Sequence, residues 1–310
     1  MNGRAAVVRT SRFGTMNVAI GLAQFAAWAA IITALNAPGS LWWKVPLGVL
    51  FVLMMQGVFS LMHECMHRHG HPSPAVNRAL GILTGAIFGT VYTLFRINHE
   101  GHHVRNRSRA ELAEYIFPDE SPARKILTYY FAILGGIWLG SFAAAIVLPF
   151  IPYRYAHLLN RPAKSMNGYS LSFAEFSPAD WQWVRIEAAF GLCLWTAAFV
   201  LLGWDWRVVA VLYAAFAFSW SSLQWVYHMR TPLDRIEGAY DLRAPAVVRL
   251  LFLNFNYNLA HHRQPNLPWQ AMHGVVDPRE TQPLWYRYLL VFRCPEPLPS
   301  DVGALRKVYF

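Results

Sequence analysis

Eight of the twelve histidines in this chain fall at four places, seven of them at spacings that suit metal binding. His63 and His67 form an HExxH; His99, His102 and His103 follow at i, i+3, i+4. Asn258, His261 and His262 repeat that spacing with an amide in first place, and His228 lies alone upstream of them. At about 3.6 residues per turn such positions share one helix face, so each segment can aim its imidazoles at a common point. Neutral imidazole suits iron, copper and zinc alike. Ligand number separates them: eight histidines exceed the four positions of a tetrahedral zinc and suffice for two metals with room for a small molecule. A pair of irons activating dioxygen is the economical assignment.

Composition says what must position these groups. The chain is 55% hydrophobic and 14% charged, whereas ordinary soluble domains carry about 25% charge. Apolar runs long enough to cross a bilayer lie at about 17–35, 41–62, 185–204 and 207–227. The turn Asn36-Ala37-Pro38-Gly39 joins the first two as an antiparallel hairpin. Pro72 and Pro74 stop the helix that carries the first histidine motif.

Two other apolar runs are constrained by parity. A single crossing by 79–95 would put the first two histidine clusters on opposite sides of the membrane; Gly81, Gly85 and Gly89 predict instead a closely packed or interfacial helix. The run 126–152 should likewise enter and leave on one side, bending at Gly135 and Gly136, because the loop after it carries Arg154, Arg161 and Lys164. The expected fold is a single all-α integral membrane domain over 1–310. It has four transmembrane helices, a re-entrant or in-plane hairpin, and cytoplasmic helices carrying a histidine-rich dimetal site. Arg4, Arg9 and Arg12 precede a first span too long for a signal-peptide core. They place both termini and the site in the cytoplasm, with a bacterial inner (plasma) membrane as the expected location.

The net charge of +10 does not point to nucleic acid, since the cations sit between apolar runs rather than on a soluble aromatic face. Trp42, Trp43, Trp181, Trp183, Trp204 and Trp206 fall at span ends, where an interfacial belt accounts for them. Cys65, Cys193 and Cys294 have no paired spacing and imply no disulfide framework. Cys65 is two residues from each flanking histidine, on the other helix face, and is not counted as a ligand.

HECMH at 63–67, HEGHH at 99–103, and NLAHH at 258–262 followed by RQPNLPW carry a family resemblance. The sequence resembles the membrane-bound fatty acid desaturase and hydroxylase superfamily, which also includes carotenoid ketolases and alkane hydroxylases. The resemblance covers roughly residues 63–269. It implies metal-ligand roles for His63, His67, His99, His102, His103, His261 and His262, with His228 at the upstream position. Asn258 stands where most relatives carry histidine; its amide could ligate weakly, or through water, or leave one iron more open. The resemblance also implies two iron ions and dioxygen as co-substrate. The chain carries no flavin or nicotinamide fingerprint, so electrons must come from a separate reductase or ferredoxin-type donor. The expected reaction removes hydrogen from an unactivated methylene of a fatty-acyl lipid or similar hydrocarbon. Loss of a second hydrogen gives desaturation and hydroxyl return gives an alcohol; oxidation of a carotenoid or alkane is the alternative.

Other polar residues have plainer readings beside functional ones. His69 and His71 are surface groups or an accessory pair, and His157 and His273 are isolated in loops. Glu64 and Glu100, each after the first histidine of a box, could hydrogen-bond an imidazole or lie solvated. Arg230, Arg235, Arg243 and Arg263 could hold an anionic head group or touch phospholipid. An intramembrane HExxH zinc protease, with Glu64 as base, would leave the other two boxes unexplained. A metal transporter would place ligands near the bilayer midplane, whereas these fall at span ends and in loops.

Overall fold

Apolar runs of this length become helices that satisfy their own backbone, and the computed structural model, which describes residues 2–155 and 176–299, is mostly helical. Eight helices form its body: α1 (Asn2–Asn36), α2 (Leu41–Met66), α3 (Pro74–Phe88), α4 (Tyr92–Arg105), α5 (Pro122–Phe131), α6 (Ile137–Val147), α7 (Pro178–Leu202) and α8 (Trp206–Val226). Shorter helices α9 (Ala246–Leu251), α10 (Asn258–Arg263), α11 (Trp269–Met272) and α12 (Leu284–Leu290) follow. The strands among the described residues are two parallel pairs of two residues each. The side chains of Arg4 and Arg9, and His157, Arg161 and Lys164, lie outside the described residues.

Among the described residues, five stretches are long and apolar enough to cross a membrane: Arg12–Asn36, Leu41–Met66, Pro122–Phe150, Pro178–Leu202 and Trp206–Val226. Local chemistry sets their ends. The side chain of Ser40 accepts from the Trp42 amide to start α2. Ser177 and Asp180 form a reciprocal capping box around Pro178 at the start of α7, which stops at left-handed Gly203. Asp205 caps α8. The turns after α1 and α7 meet at one end: Trp204 donates to the Thr33 hydroxyl at 2.9 Å and the Asp205 amide to Asn36 Oδ1 at 2.6 Å. The start of α1, the end of α2, the start of α7 and the end of α8 therefore lie at the other end, where the histidines are.

The 79–95 run is broken into two helices. α3 and α4 meet at an angle of 99°, with Gly89 in the left-handed region (φ 89°) closing α3. Both helices hang from one carbonyl at the histidine end: Cys65 O accepts from Asn77 Nδ2 at 2.9 Å and from the Tyr92 hydroxyl at 2.7 Å. Gly81 makes room for that returning tyrosine, since a Cβ there would sit 2.6 Å from its ring. The first turn of α4 is held by Glu187 of α7, which is 3% exposed and accepts from the Thr93 amide at 2.8 Å and hydroxyl at 2.6 Å.

The run Pro122–Phe150 is helical on both sides of Gly135, whose φ of 125° interrupts it against Ala217 and Phe218 of α8. Its first half is tied to segments around the histidine end: Lys125 Nζ donates to Leu112 O at 3.1 Å and the Tyr130 hydroxyl to Phe292 O at 3.0 Å. Its far side is tied to the start of α7, where Trp181 Nε1 donates to Ile151 O at 2.8 Å and Arg185 Nε to Pro149 O at 2.9 Å.

Asn17 of α1 fastens two loops that flank the histidines. Its amide donates to His69 O (3.1 Å) and Gly70 O (3.2 Å), and its oxygen accepts from Trp269 Nε1 and Gln270 Nε2, both at 3.0 Å. The residue is fully buried. Asn17→Ala strips four hydrogen bonds and leaves their partners without one another, so it is expected to destabilise the chain by about 1–3 kcal/mol. Thermal unfolding in detergent checks this; an unchanged midpoint would show that the clamp is idle.

Candidate metal centre

The histidines that the sequence singles out converge, and they do so as two groups. Candidate ligand atoms of His63, His67, His99, His103 and His261 all lie within 4.8 Å of one another, and those of His102, His228 and His262 form a second such set. The HEGHH and NLAHH segments are thus each divided. In α4 the i and i+4 residues, His99 and His103, enter the first group and His102 enters the second; in α10 His261 joins the first and His262 the second. A single helix face does not aim all its imidazoles at one point, because consecutive residues differ by about 100° around the axis. The His103 and His262 rings, 4.8 Å apart, join the two groups.

The first group is crowded with nitrogen. His99 Nε2 lies 2.7 Å from His67 Nε2 and 3.0 Å from His103 Nε2, and His261 Nε2 lies 3.0 Å from His103 Nε2. In the second group the outer nitrogens are occupied: His102 Nδ1 is 2.6 Å from Glu111 Oε2 and His228 Nδ1 is 2.9 Å from Gly238 O. These partners fix both tautomers, so that Nε2 of each ring is left free to accept a metal. Arg105 stands 3.6 Å behind Glu111 as its cation.

Three inward atoms are buried without a hydrogen-bond partner: His63 Nε2, His262 Nε2 and Asn258 Oδ1. Such orphans are costly unless something fills the space they face. Imidazoles that offer unshared nitrogens to a common point fit a divalent transition metal. Burial, with lesser contributions from neighbouring histidines, holds His228, His261 and His262 well below the ordinary imidazole range. They are neutral at pH 7, the form that ligates.

That depression has a sign that can be tested on the metal-free protein. The unfolded chain takes up protons below about pH 6.5 while the folded histidines stay neutral, so folding is full-strength above that value and weakens as pH falls. The unfolding midpoint of metal-free protein is expected to be level from pH 8 to 7 and to drop progressively below about 6.5. A midpoint that rises on acidification would contradict it.

Other sequence-level candidates are placed elsewhere. Glu64 accepts from the Trp269 amide at 3.2 Å and Glu100 pairs with Arg96 at 3.1 Å, so neither carboxylate serves an imidazole. That task falls to Glu111, which no helical spacing could reveal because a non-helical turn separates it from α4. His69 stacks on His67 with centroids 6.1 Å apart but belongs to neither group. His71 Nδ1 accepts from the Ser73 amide, and His273 lies against Arg249 and Tyr257. Arg263 is engaged by Glu237 and Glu280, and Arg230 by Glu296, which leaves them poorly placed for a head group; Arg235 and Arg243 are exposed.

A cavity of about 80 Å³ borders the second group, where His102, His228, His262 and Asn258 meet an apolar wall that includes Phe59, Met66, Phe95, Trp225 and Phe255. No curated protein matches the sequence. Residues 40–294, which include all eight histidines and every helix from α2 to α12, match the family model for fatty acid desaturase. The chain belongs to the fatty acid desaturase family.

Proposed function

We propose that this oxidoreductase holds two irons on its eight histidines and oxidises, with dioxygen, an unactivated C–H bond of a fatty-acyl lipid or similar hydrocarbon chain. The observation that carries the reading is the division of the eight imidazoles into two adjoining groups, the second opening on an apolar cavity. Bound iron would supply dioxygen activation, with electrons from a separate reductase or ferredoxin-type donor.

The chain's own part is positioning. Glu111 and Gly238 O hold the rings of His102 and His228, Glu187 holds the start of α4, and Asn17 holds the loops beyond α2 and α10. Phe59, Phe95 and Phe255 present a water-poor wall on which a methylene can rest beside the histidines. Desaturation and hydroxylation differ in how the substrate carbon sits there. The runner-up substrates, a carotenoid or an alkane, would use the same wall.

The reading includes a topology. Four crossings, by α1, α2, α7 and α8, put all histidines on one face only if the α3–α4 pair and the run Pro122–Phe150 re-enter. The shared Cys65 carbonyl supports this for the first, and ties from both halves to the histidine end support it for the second. With cations at the N-terminus that face would be cytoplasmic, in a bacterial inner membrane. A zinc protease is disfavoured because Glu64, its general base, is spent on the Trp269 amide while His63 and His67 share their group with three further imidazoles.

Lipid mass spectrometry of cells expressing the wild type, against cells expressing His102→Ala, tests the function. Lipids lacking two hydrogens, or carrying one added oxygen, should accumulate only with the wild type. Identical profiles in acyl lipids, carotenoids and alkanes would overturn the reading.

A further inference from the structure

The two groups of histidines are unequal, and one residue of this chain makes them so. The first offers five imidazoles; the second offers three, His102, His228 and His262. Asn258 opens α10 one turn before His261 and His262, is 3% exposed, lines the cavity beside those three rings, and its Oδ1 has no hydrogen-bond partner. An amide oxygen is a harder and weaker ligand for a transition ion than an imidazole nitrogen. We propose that the metal position at His102, His228 and His262 is the weaker, exchangeable one of the pair, and that Asn258 sets that weakness while leaving coordination open toward the cavity. The proposal rests on the paired-iron reading and adds an order to it: the five-imidazole position fills first and empties last.

The second position compensates in part through preorganisation. Its rings are braced by Glu111 and Gly238 O at 2.6 and 2.9 Å, which limits the ordering cost of binding without adding a ligand. The cavity on its open side is a route by which a chelator or a substrate reaches the ion, and of the five-imidazole group only His99 borders it.

The test uses the full chain in detergent, stripped, reloaded anaerobically with Fe(II) alone, exposed to graded chelator and desalted before iron is counted. The wild type is expected to hold two irons and to lose them in two steps, the first at a chelator concentration at least ~10-fold below the second. His102→Ala should remove the early step and keep the late one, whereas His63→Ala should shift the late one. Asn258→His should move the early step toward the late one by about 10-fold or more, and Asn258→Ala should leave the steps apart. Two irons leaving together, an early step that survives His102→Ala, or a spacing unmoved by Asn258→His would each overturn the proposal. Should Asn258→His not fold, the His102→Ala and Asn258→Ala results decide it. A capacity of one iron is a different failure, which removes the paired-iron reading itself.

Discussion

Arg107→Ala is expected to destabilise the folded chain by about 3–5 kcal/mol. Arg107 and Glu114 face each other with side chains only 1% exposed and Nη1 to Oε1 at 2.7 Å. The same Glu114 oxygen accepts the Arg230 amide at 2.8 Å, and Arg107 donates to Thr231 O at 3.0 Å. The pair therefore pins the chain immediately beyond His228 to the chain immediately beyond α4. Glu114 Oε2 is buried with no hydrogen-bond partner, and beside the neutral Arg230 amide the Arg107 guanidinium is the cation that faces the carboxylate. Without it a charge stays buried and unpaired, which costs far more than the pair contributes. Replacing both residues, as Arg107→Met with Glu114→Met, should recover most of the loss. Chemical unfolding in detergent measures both. A single variant within about 1 kcal/mol of wild type would mean that the pair is dispensable.

Much of this architecture is legible in the amino-acid sequence because its strongest signals are long-range in composition and short-range in spacing. Apolar runs at 17–35, 41–62, 185–204 and 207–227 largely coincide with Arg12–Asn36, Leu41–Met66, Pro178–Leu202 and Trp206–Val226, which extend three of them at their polar ends by Arg12, His63 and the Ser177–Asp180 box and stop the third at Gly203. Helical spacing likewise picks out seven of the eight histidines that meet, and His228 is placed by its position upstream of the third box. Their division between two groups follows the turn of about 100° per residue within each helix, but which rings of separate segments meet depends on tertiary placement that no local spacing shows. The groups that orient the rings are hidden for a related reason. Glu111 reaches His102 through a non-helical turn, Gly238 contributes only a carbonyl, and Asn17 lies more than fifty residues from every loop that it binds. Each acts through tertiary geometry, which carries no local periodicity.

Replacing His99 by alanine should abolish substrate oxidation, a loss of at least ~100-fold, since even partners one shell out from a metal are worth about 10–100-fold. His99 is the hub of the larger group. Its ring lies 4.3 Å from that of His63, and its Nε2 is 2.7 Å and 3.0 Å from those of His67 and His103. His69, which stacks on His67 yet belongs to neither group, supplies the control: His69→Ala should keep activity within about threefold. Folding provides a second axis. Metal-free protein must bury closely apposed imidazoles whose inward nitrogens, such as His63 Nε2, lack partners, and such sites are held at some cost to stability. Removing His99 should therefore leave the unfolding midpoint of the metal-free protein level or higher, while the added stability that iron gives the wild type shrinks. Product yield and the iron-dependent shift in midpoint, read on the same preparations, decide the matter. An active His99→Ala enzyme, or one whose loss of activity is matched by a loss of metal-free stability, would show that this histidine braces the bundle rather than holding metal.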